Sequence, residues 1–192
     1  VVRKKADPLW FAPPSGATLM VMTTALLVLD AQRTVLEGPG AVPAATTVRA
    51  ALADLLARAR AAGSPVIHVQ NDGRPGYPDE PGTDGWGLVF DTRPGELTLR
   101  KTASDTFAAN DDLADTLRGR GIDHLVIAGM QSDYCVRATS RSALQAGFRV
   151  TIPSGAHATY DDEAPATELA RAVEEELAAE GVAIVPVEEV RF

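Results

Sequence analysis

Apolar residues run through the chain in short blocks that alternate with longer stretches of helical spacing. ALLVLD (Ala25 to Asp30) has no polar residue before its last position, so it reads as a strand buried on both faces. Pro43 to Ala62 places apolar residues three and four apart. That predicts a helix, with Pro43 near its start and Gly63 as its stop. Pro65 to Gln70, Glu96 to Lys101, His124 to Gly129, Phe148 to Pro153 and Val182 to Val187 read as further strands. Helices are predicted from Asp111 to Gly121 with Asn110 as cap, from Asp133 to Ala146, and from Pro165 to Gly181. Between the second and third strands lies NDGRPGYPDEPGTDGWG, a Gly- and Pro-dense connection. It is long for a compact domain, which favours a functional role.

Strand and helix alternating in this way predict an α/β domain with a mostly parallel sheet covered on both faces. No internal repeat and no second domain boundary is visible. Residues 1–21 differ from the rest. Pro8, Pro13, Pro14 and Gly16 break any regular element there, and no long apolar run follows the basic start. They are expected to be an extension or vector-derived arm, with residues 22–192 as a single domain. In a parallel sheet, ligands bind beyond the C-terminal ends of strands, where strand order reverses. Asp30, Lys101 and Cys135 all fall at or just past predicted strand ends.

Composition narrows the partners. The chain has 192 residues, 45% of them hydrophobic, and a formal net charge of −8. It has no long basic patch, so nucleic acid and acidic membranes are poor expectations. Hydrophobic runs are too short to span a bilayer. Cys135 is the only cysteine. It cannot form an internal disulfide, and a reducing, cytoplasmic setting is expected.

A thiol becomes a good nucleophile when it loses its proton. Near a helix N-terminus and beside an ammonium group its pKa is expected to fall. A carboxylate within reach could instead take the proton during attack. Asp30, Lys101 and Cys135 supply those three chemistries. The same residues also suit plainer roles: a small buried thiol, a strand-end turn residue and a surface lysine. A dinucleotide site would need G-x-G-x-x-G after the first strand, and DAQRTVLEGPG does not supply it.

LLVLDAQ (Leu26 to Gln32), LRKTASDTF (Leu99 to Phe107) and AGMQSDYCVRATSRSALQAGF (Ala128 to Phe148) together resemble the isochorismatase-like cysteine hydrolases. The resemblance spans about Thr24 to Val187. It implies a three-layer, Rossmann-like fold on a six-stranded parallel sheet, with Asp30, Lys101 and Cys135 as catalytic triad. It further implies a cis peptide between Met130 and Gln131, with the N–H groups of Gln131 and Cys135 forming an oxyanion hole. The expected reaction is amide hydrolysis through a thioester, with no cofactor.

Within the family, HVQNDG, PGTDGW and GMQSDYCV look most like the branch that includes streptothricin hydrolase, which opens a lactam. Nicotinamidases carry an Asp and two His after the second strand as metal ligands. Here Asp72 is present but no histidine follows His68 until His124, so no metal site is expected. A metal-independent, nicotinamidase-like deamidase is the alternative, and a non-catalytic scaffold a further one. Trp86, Phe107, Tyr134 and His157 are candidate pocket residues, with Tyr77 beside them. The expected partners are a small-molecule amide and further copies of the chain, most simply as a homodimer.

Overall fold

The computed structural model describes residues 23–192, so the expectation for residues 1–21 lies outside the described residues. Strand β1 (Thr23–Leu29) occupies the centre of the sheet and is buried from Ala25 onward. Helix α1 (Arg33–Leu36) is a single turn, and α2 (Ala45–Ala62) ends where Gly63 enters the left-handed region at φ 70°. Strands β2 (Val66–Asn71) and β3 (Leu97–Lys101) follow, with the long connection between them. Then come α3 (Leu113–Gly119), β4 (Ile122–Met130), a π-helical turn (Ser132–Val136) and α4 (Arg137–Gln145). The chain closes with β5 (Arg149–Ser154), β6 (His157–Ala158), α5 (Ala166–Ala179) and β7 (Ala183–Pro186).

The sheet order is β3-β2-β1-β4-β5-β7, and every pairing is parallel. This is the predicted six-stranded sheet. The two-residue β6, which no apolar run announced, adds a seventh strand on β4. Side chains alternate across it as the strand pleat requires. Leu26 and Val28 pack with Leu52, Leu55 and Leu56 of α2 on one face. Leu27 and Leu29 join Leu117 of α3, Ala143 of α4 and Leu177 of α5 on the other.

Strand order reverses between β1 and β4, so the cleft beyond their C-terminal ends is the natural ligand site. Gly129 makes that junction close. It has φ 124°, and a Cβ there would lie 2.0 Å from the Leu29 carbonyl oxygen.

Two predicted details change. Asn110 does not cap α3; its Nδ2 donates to the Thr106 carbonyl, and the helix begins at Leu113. The helix predicted from Asp133 is two pieces, because the N–H of Val136 reaches back five residues to the Gln131 carbonyl. Among the described residues no helix is long and apolar enough to cross a membrane.

Candidate active site

Asp30 leaves β1 at φ 48°, in the left-handed region that few non-glycine residues adopt. Its N–H still bonds Val69 on β2 at 2.8 Å, while its carbonyl accepts the Gln32 N–H at 2.7 Å. The sheet thus turns sharply at this residue. Lys101 ends β3, two strands away, and its side chain is fully buried. Its Nζ lies 2.7 Å from Asp30 Oδ2 and donates to Cys135 Sγ at 3.2 Å. Cys135 comes from the π-helical turn after β4, which follows a cis Met130–Gln131 peptide. Three strand ends therefore bring a carboxylate, an ammonium and a thiol together.

Burial is the largest influence on each of the three. It raises the Asp30 pKa, which Lys101 opposes and the charge of Asp79 reinforces. Burial alone would lower the Lys101 pKa, but the charge of Asp30 and the hydrogen bonds to Asp30 and Cys135 outweigh it and hold the ammonium above its ordinary value. Burial and the Asp30 charge push the Cys135 thiol up to about 11, against the pull of Lys101. This corrects the expectation of a lowered thiol pKa. The resting group is a thiol beside an Asp–Lys ion pair. Asp30 Oδ1 is buried and has no hydrogen-bond partner among the described residues. That oxygen has lone pairs to accept a proton.

The thiol opens onto a cavity of about 430 Å³, whose wall includes Asp30, Gln32, Asn71, Asp79, Gln131 and Tyr134. Tyr134, 55% exposed, is the one predicted pocket aromatic on that wall. Tyr77 lies in an adjoining hollow of about 210 Å³ that shares Asn71, Asp79 and Thr102 with the larger one. The other predicted pocket residues point elsewhere. Trp86 donates its indole N–H to Asp72 at 3.0 Å and carries Arg100 over its ring at 5.0 Å. Phe107 packs on Phe148 in the core, with ring centroids 5.9 Å apart. His157 is buried between Ser132 and Glu174.

Trp86 instead anchors the long connection through its carbonyl, which accepts from Gln32 and Gln70 at 3.0 and 2.8 Å. Gln32 also donates to the Asn71 carbonyl and accepts the Asn71 N–H. One buried amide thus staples the ends of β1 and β2 to the loop, with both of its N–H donors and its oxygen bonded inside the protein. Gln32 stands in the LLVLDAQ motif, but its type alone did not reveal this. Asp79 was one of several loop carboxylates in the sequence. Its place in the cavity comes from the Asn71 amide, which donates to it at 2.7 Å, and from Gly73, where a Cβ would lie 2.0 Å from Asp79 Oδ1. Among the described residues no group of three His, Cys, Asp or Glu could hold a metal ion.

Residues 24–185 match the isochorismatase domain model. The chain is 45% identical over 185 residues to a streptothricin hydrolase of Streptomyces noursei, covering 91% of this chain and 72% of that protein. An isochorismatase from Pseudomonas putida KT2440 superposes with a TM-score of 0.80 at 26% identity, covering 88% of this chain and 90% of that one. N-carbamoylsarcosine amidase from Thermoplasma acidophilum superposes with a TM-score of 0.78 at 25% identity, covering 89% and 100%.

Proposed function

The chain belongs to the isochorismatase family as a cysteine hydrolase acting on a C–N bond, and on that premise we propose that the bond is that of a small amide or lactam, broken by Asp30, Lys101 and Cys135. One observation carries this reading: the buried ammonium of Lys101 touches both the carboxylate and the thiol, and those two groups line a cavity.

The chemistry follows from the resting charges. Because the thiol holds its proton, attack and deprotonation occur together. Sγ of Cys135 bonds to the amide carbon as its proton passes to Asp30, whose raised pKa makes it a stronger base. The carbonyl oxygen takes up negative charge and is met by the N–H groups of Gln131 and Cys135. One such donor is worth roughly 3–4 kcal/mol in a transition state. The C–N bond then breaks, Asp30 gives its proton to the departing nitrogen, and a thioester remains. Water attacks that thioester as Asp30 takes its proton, and Asp30 then passes the proton to Cys135 Sγ as the C–S bond breaks, which restores the thiol and the carboxylate. Lys101 stays an ammonium throughout and keeps Asp30 ionised when the cycle starts.

The substrate class is supported by the similarity to streptothricin hydrolase and to an amidase, and by a cavity wall that carries amides, hydroxyls and, besides Asp30, the carboxylate of Asp79. The reading includes a homo-oligomer, most simply a dimer, working in a reducing compartment such as the cytoplasm. Light scattering at micromolar concentration returning the monomer mass of 20.2 kDa would remove the oligomer.

The test of function is a panel of nicotinamide, simple primary amides and a streptothricin-type lactam, quenched in acid and read by intact-protein mass spectrometry. The expected result is turnover of an amide or lactam with an acyl adduct on Cys135. Turnover of a good substrate by Cys135→Ala, with no adduct at any time, would overturn it.

A further inference from the structure

Behind the π-helical turn lies a set of buried polar groups that the reaction does not use. His157 sits on β6 and is 4% exposed. Its Nδ1 lies 2.8 Å from Ser132 Oγ and its Nε2 lies 3.0 Å from Glu174 Oε1 on α5. Ser132 is wholly buried. The bond to His157 holds the Glu174 pKa below its ordinary value, so the carboxylate is ionised and accepts only. The shared proton with Glu174 must then sit on Nε2. Nδ1 shares the second hydrogen bond with the Ser132 hydroxyl, so both ring nitrogens are partnered inside the protein.

The line ends at the residue that follows Gln131 and opens the turn holding Cys135. Strand β6 is itself locked to β4 at that point, with Gly129 opposite His157 and Met130 opposite Ala158. Thr159, next along, donates to Asp133 Oδ1 at 2.6 Å. Two successive residues of the turn are therefore gripped from β6 and the residue after it, and α5 braces the grip through Glu174. Asp30 and Lys101 approach the thiol, but neither makes a hydrogen bond to Ser132 or Asp133.

We propose that Glu174, His157 and Ser132 form a buried hydrogen-bond relay whose role is to position the backbone N–H groups of Gln131 and Cys135 for catalysis. His157 is a positioning residue that never meets the substrate. This rests on the reading of those two N–H groups as the oxyanion hole.

Two probes of the single thiol separate the relay from that reading. p-Nitrophenyl acetate acetylates Cys135 through a tetrahedral oxyanion. Iodoacetamide alkylates the same sulfur by direct displacement, with no oxyanion. Both rates are read at pH 8 by intact-protein mass spectrometry, with Cys135→Ala as background. The amide of Asn superposes on Nδ1 of a histidine and that of Gln on Nε2, so His157→Asn keeps a partner for Ser132 and His157→Gln does not. Acetylation is expected to fall roughly 10- to 100-fold in His157→Gln, less than the roughly 10²- to 10³-fold for removing one oxyanion donor outright because the N–H groups are displaced and not deleted, and no more than about 3-fold in His157→Asn. Alkylation should stay within about 2-fold of wild type in both. Ser132→Ala, a small change that keeps His157, should reproduce the Gln loss, and combining it with His157→Gln should add little. Equal acetylation of the Asn and Gln variants, or a parallel fall in alkylation, would overturn the relay. If His157→Gln does not fold by far-UV circular dichroism, wild-type acetylation in Ser132→Ala would overturn it alone. Wild type that alkylates but never acetylates would instead sink the oxyanion reading, and the relay with it.

Discussion

Replacing Lys101 with Met removes one charge and keeps most of the apolar stem, so it isolates what the ammonium does. At 2.7 Å the attraction to Asp30 is about 6 kcal/mol for an effective dielectric of 20. Removing it would strand a carboxylate that is only 6% exposed. The group has a cheaper course: it keeps its proton. Holding a carboxyl of ordinary pKa 3.8 neutral at pH 7 costs about 4.4 kcal/mol, at about 1.4 kcal/mol per unit. That figure caps the loss from this group. The variant also escapes the cost of burying an ammonium, so a destabilisation of about 2–4 kcal/mol at pH 7 is expected.

The sign with pH follows from linkage. In the variant, native Asp30 binds a proton that the unfolded chain releases above pH 3.8. Its contribution therefore worsens as pH rises from 3.8 toward the raised native pKa, and eases as pH falls. At pH 5 the cap is about 1.6 kcal/mol. Urea unfolding of wild type and Lys101→Met at pH 5 and pH 7 reads this directly. A neutral Asp30 cannot take the thiol proton, so turnover at pH 7 should fall roughly 10²- to 10⁴-fold. A variant equally destabilised at both pH values, or one with turnover within about 3-fold of wild type, would refute the claim that the ammonium keeps Asp30 ionised.

Cys135→Ala and Cys135→Ser should abolish hydrolysis while leaving the far-UV circular dichroism spectrum unchanged; activity near wild type in a folded variant would end the cysteine mechanism. Asp79→Asn should shift the acid limb of the pH–rate profile downward. Asp30 must be ionised to accept a proton, and the Asp79 charge raises its pKa, so an unmoved limb would show that Asp79 does not act on Asp30. Chelation should leave turnover unchanged, with metal content checked by mass spectrometry; stoichiometric zinc whose removal stops turnover would contradict this.

The strands were legible because parallel strands buried on both faces leave near-continuous apolar runs, as in β1 and β4, with single polar interruptions at His68 in β2 and Thr151 in β5. The meeting of Asp30, Lys101 and Cys135 was legible for a related reason. Each ends or follows a strand, and a parallel sheet brings all its strand ends to one rim. What the pattern could not supply was direction and solvent. Trp86 and Phe107 are rings of the right size for a pocket wall. Their orientation is set by distant partners, Asp72 and Arg100 for one and Phe148 for the other. His157 was visible only as a histidine in a loop, because a two-residue strand carries no period, and Glu174 and Ser132 flank it from far along the chain.

The thiol is the most instructive failure. Its neighbours in sequence and the lysine beside it all argued for a lowered pKa, and the lysine does pull that way. Burial and the Asp30 carboxylate outweigh it. The helix N-terminus that should have helped is replaced by a π-helical turn with Cys135 in its fourth position. A buried ion pair next to a half-buried thiol leaves little reason for a standing thiolate, since Lys101 is already neutralised by Asp30. On the proposed mechanism the nucleophile is then made at the moment of attack. That mechanism places the demand on Asp30, and a carboxylate with a raised pKa suits it better than one of ordinary acidity.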